Sequence, residues 1–338
     1  MKPKITIARW VFDEVLEQLQ RDFDVSTNQT DSTFSAPELR ASAAHCEGLI
    51  TSVTDSIDAD FLAACPRLKV VSNIGVGVNN IDLAACTARG VLVCNTPDVL
   101  NATTEDLGFA LLLAAARRIT EAEAFVRAGN WKKAFSVNQF LGHDVAGATL
   151  GIIGMGRIGQ AVARRATGFD MKVLYCNRTQ LNESQEEALN ASWVSQAVLL
   201  AKSDFVLLLV PYSPASHHLI GAAELAAMKS SAILINIARG GVVDDAALAA
   251  ALSGGVIAGA GLDVFEGEPA VKPALLACKN VVLTPHIGSA THSTRMNMAM
   301  LAANNLTTAL RFVRGDVSVT PQNVVNHAAL NITTSAPK

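Results

Sequence analysis

A glycine pattern near the middle of this 338-residue chain constrains its fold more than any other feature. The apolar run Thr149-Leu150-Gly151-Ile152-Ile153 passes straight into Gly154-Met155-Gly156-Arg157-Ile158-Gly159, and a helix-like stretch, Gln160 to Thr167, follows. Strand, Gly-x-Gly-x-x-Gly turn and helix in that order form the context in which a backbone cradles a dinucleotide pyrophosphate. Gly154 permits the tight turn, Gly156 lets the phosphates approach the backbone, and Gly159 lets the helix pack against the strand. The helix N-terminus then presents unpaired N–H groups and the positive end of its dipole to the anion. A second strand pattern at Lys172–Cys176 completes the unit. The segment ahead of the motif is long enough for another domain.

Short apolar runs alternate with helical patterns on both sides of this motif. Ile5–Ala8, Gly48–Thr51, Lys69–Ser72 and Val91–Cys94 read as strands. Phe12–Gln20, Pro37–Ala44, Ala59–Ala64 and Ile81–Arg89 read as helices between them. A second strand series reads Leu150–Ile153, Lys172–Cys176, Phe205–Val210, Ile233–Ile237, Ala258–Asp263 and Val281–Thr284. Such alternation predicts parallel sheets. Ala102–Arg118, with Asn101 as N-cap, reads as a helix leading into the nucleotide domain. Ser293–Arg314, stopped at Gly315, reads as the helix leading back. The tail after Pro321 is weakly patterned, and Asn331–Lys338 is expected to be disordered. Ligands of open parallel sheets sit at the carboxyl ends of the strands, so a cleft between two such domains is the expected site.

Composition narrows the function. Half of the residues are apolar and only 5% aromatic, which suits a helix-rich α/β protein. The most apolar stretches, Phe109–Ala116 and Phe205–Pro211, are too short to span a bilayer. The start Met1-Lys2-Pro3-Lys4-Ile5 lacks a signal-peptide pattern, so a cytoplasmic protein without membrane attachment is expected. A net charge of −3 without a basic run leaves nucleic acid no electrostatic footprint. The six cysteines are scattered and read as buried thiols, and no metal-ligand spacing is present.

In NAD-binding versions of the motif an acidic residue about 20 positions on holds the ribose diol. Here the second strand ends in Asn177-Arg178-Thr179, with no carboxylate. An arginine fork suits a 2′-phosphate that a carboxylate would repel. NADP(H) is therefore the preferred cofactor, with NAD(H) weaker; the plainer reading of Arg178 is an exposed loop charge.

Reduction of a ketone by hydride needs a proton donor, a group that polarises the carbonyl and holds the substrate carboxylate, and a means of keeping the donor protonated. Arg239, Glu268 and His286 lie just past three of the predicted strands. Their types are complementary, and the other six histidines (His45, His143, His217, His218, His292 and His327) read as surface or loop residues.

These motifs resemble the D-isomer-specific 2-hydroxyacid dehydrogenase family from about Ile50 to Leu310. The resemblance rests on Asn73-Ile74-Gly75-Val76-Gly77-Val78-Asn79-Asn80-Ile81-Asp82, the central fingerprint, and Ile235-Asn236-Ile237-Ala238-Arg239-Gly240. Gly261-Leu262-Asp263-Val264-Phe265 and Thr284-Pro285-His286-Ile287-Gly288-Ser289-Ala290 complete it. It implies that Arg239 binds the substrate, that His286 is the acid/base, and that Glu268 pairs with His286 and raises its pKa. Val76 and Gly77 belong to the loop that would offer backbone N–H groups to the substrate carboxylate. Asp263 matches a contact to the nicotinamide carboxamide, and Thr104 matches one near the phosphates. Arg157, Ile158, Pro211, Ala238 and Gly288 complete the expected cofactor set with the three glycines and Asn177, Arg178 and Thr179. No metal is implied.

The family architecture is α/β, with two Rossmann-like or flavodoxin-like parallel-sheet domains. Residues 1–100 and 290–325 would form a split substrate domain, residues 101–289 an inserted NAD(P) domain, and 326–338 a tail. A homodimer packed through the nucleotide domain is implied. Asn79-Asn80-Ile81-Asp82, Asn177-Arg178-Thr179 and Ser289-Ala290-Thr291 are most similar to glyoxylate/hydroxypyruvate reductases and 2-ketogluconate reductases. Phosphite dehydrogenase is a rival, but Val76 stands where that enzyme carries a lysine suited to an oxyanion. Dinucleotide-binding corepressors carry the same trio and offer a scaffold reading, against which the short tail counts. Val53, Trp131 and Phe140 are candidate walls for the rest of the substrate.

Overall fold

The computed structural model describes residues 2–30 and 32–335. The chain forms two compact units, residues 1–100 with 291–338 and residues 101–290. The first unit opens with β1 (Lys4–Ile7), α1 (Asp13–Asp22), β2 (Asp24–Thr27), α2 (Ala36–Ala43) and β3 (Gly48–Ser52). It continues with α3 (Ala59–Ala64), β4 (Val70–Ile74), α4 (Leu83–Ala88) and β5 (Leu92–Cys94). The strands form a sheet of order β2-β1-β3-β4-β5, parallel throughout. That is the flavodoxin-like order. Asp58 and Asp82 cap α3 and α4 by accepting from the Phe61 and Ala85 N–H groups.

The second unit begins with α5 (Asn101–Ala116), α6 (Ile119–Arg127), β6 (Thr149–Ile153), α7 (Arg157–Thr167), β7 (Lys172–Cys176), α8 (Glu183–Leu189) and β8 (Ala191–Trp193). It ends with α9 (Gln196–Lys202), β9 (Phe205–Leu208), α10 (Ala222–Ala226), β10 (Ile233–Asn236), α11 (Asp245–Ser253), β11 (Gly259–Leu262), α12 (Pro273–Leu276) and β12 (Val281–Leu283). Seven parallel strands run in the order β12-β11-β10-β9-β6-β7-β8. Strand order reverses between β6 and β9, the switch point at which such sheets bind ligands. Successive strand residues feed opposite faces. Ile152, Leu207 and Ile235 enter one apolar layer, and Ile153, Leu208 and Leu234 enter the other. α5 lies on the first face against β10 and β11.

The chain returns to the first unit through α13 (His292–Val313), capped by Thr291 and ended at Gly315 with φ +95°. α13 packs on β3, β4 and α1, placing Ala303, Leu306 and Leu310 in that unit's core. α14 (Ala328–Ser335) closes the described chain.

The structure departs from the sequence reading in several places. β2 and β8 are edge strands with mostly solvent-facing residues, so neither carries the apolar run that marks a buried strand. Asn101 is the first helical residue rather than a cap, and the helical stretch breaks at Arg118 (φ +53°) before α6. Residues 331–335, expected to be disordered, continue α14, while 336–338 lie outside the described residues. The segment from Asn326 is no detached tail. The Asn326 side chain accepts from the Val93 N–H and donates to the Val91 carbonyl, and Ala329 is buried. All six cysteines are free, and burial pushes the Cys46, Cys86 and Cys94 thiols up to about 12. Among the described residues no helix is long and apolar enough to cross a membrane.

Candidate active site in the second unit

The fingerprint turn occupies the carboxyl end of β6. Gly154 has φ +106°, and a Cβ there would stand 2.8 Å from the Leu209 carbonyl carbon beyond β9. A Cβ on Gly159 would stand 2.5 Å from the Gly154 carbonyl oxygen, which is how closely α7 is drawn onto β6. Beside Gly156 the situation is opposite, because a Cβ would meet nothing within 4 Å. Gly156 is also the N-cap of α7 and supplies no capping side chain. The turn therefore combines open space with a helix N-terminus, and that fits a pyrophosphate. Arg157 is exposed at the start of the helix, and Ile158 packs under it against the apolar layer.

The loop after β7 is held at both ends. The Trp193 indole N–H donates to the Asn177 carbonyl at 3.2 Å. The Tyr175 hydroxyl accepts from the Leu181 N–H at 2.8 Å and donates to Glu186 at 2.6 Å. Burial, then the Glu186 carboxylate, pushes the Tyr175 phenol up to about 12, so it stays a donor. Arg178 and Thr179 are exposed, and among the described residues neither side chain has a hydrogen-bond or ionic partner. Pro211 lies just past β9, where its carbonyl accepts from Ser216 at 2.8 Å.

Arg239, Glu268 and His286 follow β10, β11 and β12, which are neighbours in the sheet. The turn after β10 is built by Asn236, which accepts from the Ala238 N–H at 3.0 Å and donates to the Arg239 carbonyl at 3.2 Å. Arg239 is half-buried, and its Nη1 donates to the Ala238 carbonyl at 2.6 Å. Burial lowers its pKa from the ordinary 12.5, against the opposing charge of Glu268. His286 Nδ1 lies 2.7 Å from Glu268 Oε2, and Oε1 of the same carboxylate accepts from the Phe265 N–H at 2.8 Å. Burial would raise the Glu268 carboxyl. The bonds from His286 and Phe265 and the charges of His286 and Arg239 outweigh it and hold the group below the usual carboxylate range.

Asp263 organises the histidine turn. It is buried, and its Oδ1 accepts from the Thr284 hydroxyl at 2.6 Å and the Ile287 N–H at 2.8 Å. Its Oδ2 accepts from the Gly288 N–H at 2.8 Å, and its carbonyl accepts from the His286 N–H at 2.9 Å. Burial raises its carboxyl, with those donors opposing. His286 itself holds φ +54°, a left-handed conformation that a non-glycine residue keeps only when its surroundings fix it. Thr104, on α5, borders this turn: a Cβ on Gly288 would stand 3.6 Å from its hydroxyl. The roles of Asn236 and Thr284 have no signal in the sequence, because their partners come within reach only once the strand ends are folded together.

The remaining candidates divide between the units. Val76 and Gly77 follow β4 in the first unit, as does Val53 after β3. Phe140 is occupied by packing on Phe125 and Arg118, whereas Trp131 is exposed. His292 starts α13 and packs on Phe12 with ring centroids 4.9 Å apart. His217 and His218 are less plain than expected: with Glu266 they bring ligand-type atoms within 4.8 Å of one another. Their rings are stacked at 3.9 Å with only 24° between planes, so their lone pairs do not converge, and Glu266 already pairs with Lys272 at 2.9 Å.

Comparison with known proteins bears on the whole chain. Residues 109–288 match the model for the D-isomer specific 2-hydroxyacid dehydrogenase, NAD binding domain. A glyoxylate reductase from Thermococcus litoralis is 46% identical over 100% of both chains. The chain belongs to the D-isomer specific 2-hydroxyacid dehydrogenase family. Among solved structures, a protein from Thermus thermophilus superposes with a TM-score of 0.87 at 41% identity, covering 95% of this chain and 99% of that one. The NADPH-dependent glyoxylate/hydroxypyruvate reductase of Sinorhizobium meliloti, in complex with NADP and malonate, gives 0.84 at 33% identity, covering 97% and 98%. As a D-2-hydroxyacid dehydrogenase the chain takes a nicotinamide dinucleotide, and the matched segment lies inside the second unit.

Proposed function

We propose that this dehydrogenase reduces glyoxylate and hydroxypyruvate, and 2-ketogluconate more distantly, to D-2-hydroxy acids with NADPH. The His286–Glu268 pair carries the reading. With Glu268 ionised, Nδ1–H of His286 donates to it, and Nε2, which has no protein partner among the described residues, is left to carry and release a proton. The cationic Arg239 suits a 2-keto carboxylate. Taken by itself, the first unit's loop offers the Val76 and Gly77 N–H groups, which suit a carboxylate. A bound nicotinamide supplies the hydride. The pyrophosphate would lie on Gly154, Gly156 and the start of α7, with Asp263 at the nicotinamide end; Thr104, expected near the phosphates, borders Gly288 of the Asp263-held turn.

NADP(H) preference rests on Arg178 and Thr179 after β7, whose side chains have no partner among the described residues, and on the lack of a carboxylate in Asn177-Arg178-Thr179 that would repel a 2′-phosphate. A homodimer through the second unit is supported by exposed apolar side chains at the end of α6 (Val126) and between α6 and β6 (Trp131, Phe135, Val137 and Leu141). The test is an NADPH-oxidation panel of glyoxylate, hydroxypyruvate, pyruvate and 2-ketogluconate on wild type and His286→Ala. We expect turnover of the first two, and a loss of about 10²–10⁴-fold in the variant with NADPH affinity kept. A variant at near-normal rate removes His286 from the acid role, and a wild type inert on all four keto acids overturns the reading.

A further inference from the structure

The loop after β4 has an unusual division of its polar groups. Its three successive carbonyls, on Gly75, Val76 and Gly77, are all engaged from outside the loop or from its base. The Thr96 N–H donates to Gly75 O at 3.0 Å. The Asn95 side-chain amide donates to Val76 O at 2.8 Å. The Asn73 side-chain amide donates to Gly77 O at 2.8 Å. By contrast the N–H groups of Val76 and Gly77 have no partner among the described residues.

Peptide planarity connects the two halves of that pattern. The carbonyl of one residue and the N–H of the next lie in one rigid plane and point opposite ways. Holding Gly75 O therefore aims the Val76 N–H, and holding Val76 O aims the Gly77 N–H. Glycines on both sides of Val76 would otherwise make a peptide flip inexpensive, and a flip would present carbonyl oxygen, which repels an anion. Asn95 is itself fixed. Its carbonyl accepts from the Asn305 amide at 2.9 Å, its N–H donates to the Asn323 carbonyl at 3.1 Å, and the Asn323 amide donates to Asn305 Oδ1 at 3.0 Å. A chain of amides thus runs from the last segment and α13 to the loop.

We propose that Asn95 is a positioning residue, with Asn73 and Thr96 beside it, that locks the Gly75–Gly77 peptides with their N–H groups outward to receive a carboxylate. The inference deepens the functional reading above and rests on it. It predicts a defect in substrate binding without a defect in chemistry.

The experiment is steady-state glyoxylate reduction by wild type and Asn95→Ala at saturating NADPH, with thermal-shift titration of both proteins by oxalate. The variant should raise KM for glyoxylate about tenfold or more, leave kcat and KM for NADPH within about twofold, and raise the oxalate Kd read from the thermal-shift titration by the same factor. Asn95→Ser, whose hydroxyl falls one bond short of the carbonyl, should do the same if the alanine protein folds poorly. Unchanged KM in both variants overturns the proposal, as does a parallel loss of kcat and Tm. So does a wild type that oxalate does not stabilise. Failure of the functional reading is distinguishable: if the wild type is inert on glyoxylate but stabilised by oxalate, the variants' oxalate shift decides the loop assignment on its own.

Discussion

Gly240→Ala probes whether the site is held by backbone packing between the β10 and β11 turns. A Cβ at Gly240 would stand 1.7 Å from Phe265 O, 2.3 Å from Phe265 C and 2.9 Å from Glu266 N. Real Cβ atoms essentially never approach within 3.0 Å, so Phe265 O must retreat by at least 1.3 Å. The obstructing atoms are backbone and cannot rotate away. The Phe265 N–H also holds Glu268 Oε1, and Gly240 is bonded to Arg239, so the displacement falls on one member of the site or the other. Overpacking of this kind costs about 1–3 kcal/mol, or about 2–4 °C in Tm per kcal/mol for a unit of this size. A misplacement of about 1 Å at a reacting group costs about 10²-fold. We therefore expect kcat/KM for glyoxylate to fall about a hundredfold with a measurable drop in Tm. Gly168→Ala is the control: φ there is −68°, and its Cβ would meet only Arg165 O at 3.4 Å, an ordinary contact. Its kcat/KM should stay within about twofold of wild type. A Gly240→Ala protein indistinguishable from that control refutes the argument.

Arg178→Ala should raise KM for NADPH by about tenfold or more while leaving KM for NADH nearly unchanged; equal effects on both cofactors refute the 2′-phosphate assignment. Glu268 has its folded pKa held below the ordinary 4.5, so its contribution is present above that pH and is lost as pH falls through the depressed value. Glu268→Gln should accordingly be less stable than wild type at neutral pH, by no more than about 1 kcal/mol because the pair is partly solvated. Denaturation midpoints of the two proteins should converge on acidification below 4.5, and a gap that widened in acid would contradict the sign. Phe135→Asp should shift sedimentation toward monomer if the apolar stretch before β6 is the dimer face; a wild type that sediments as a monomer at assay concentration removes the dimer.

Sequence alone determined the kind of fold and the chemistry of its candidates. Strands buried on both faces write themselves as continuous apolar runs, and glycines that must admit a phosphate or a helix write themselves as a spaced pattern. Hence β6, β7, β9, β10, β11 and β12 were legible to within a residue or two, as was the placement of Arg239, Glu268 and His286 after successive strands. Edge strands β2 and β8 were not legible, because half-exposed pairing leaves no such run. Only the tertiary structure decided how the candidates are held. The 2.7 Å bond between His286 and Glu268, the four acceptor contacts by which Asp263 fixes a left-handed histidine, and the Asn95 and Asn305 amides behind the Gly75–Gly77 loop all join residues well separated in the chain. Local periodicity carries no information about such partners. They meet because parallel strands align their carboxyl ends, a consequence of pairing order rather than of any one segment.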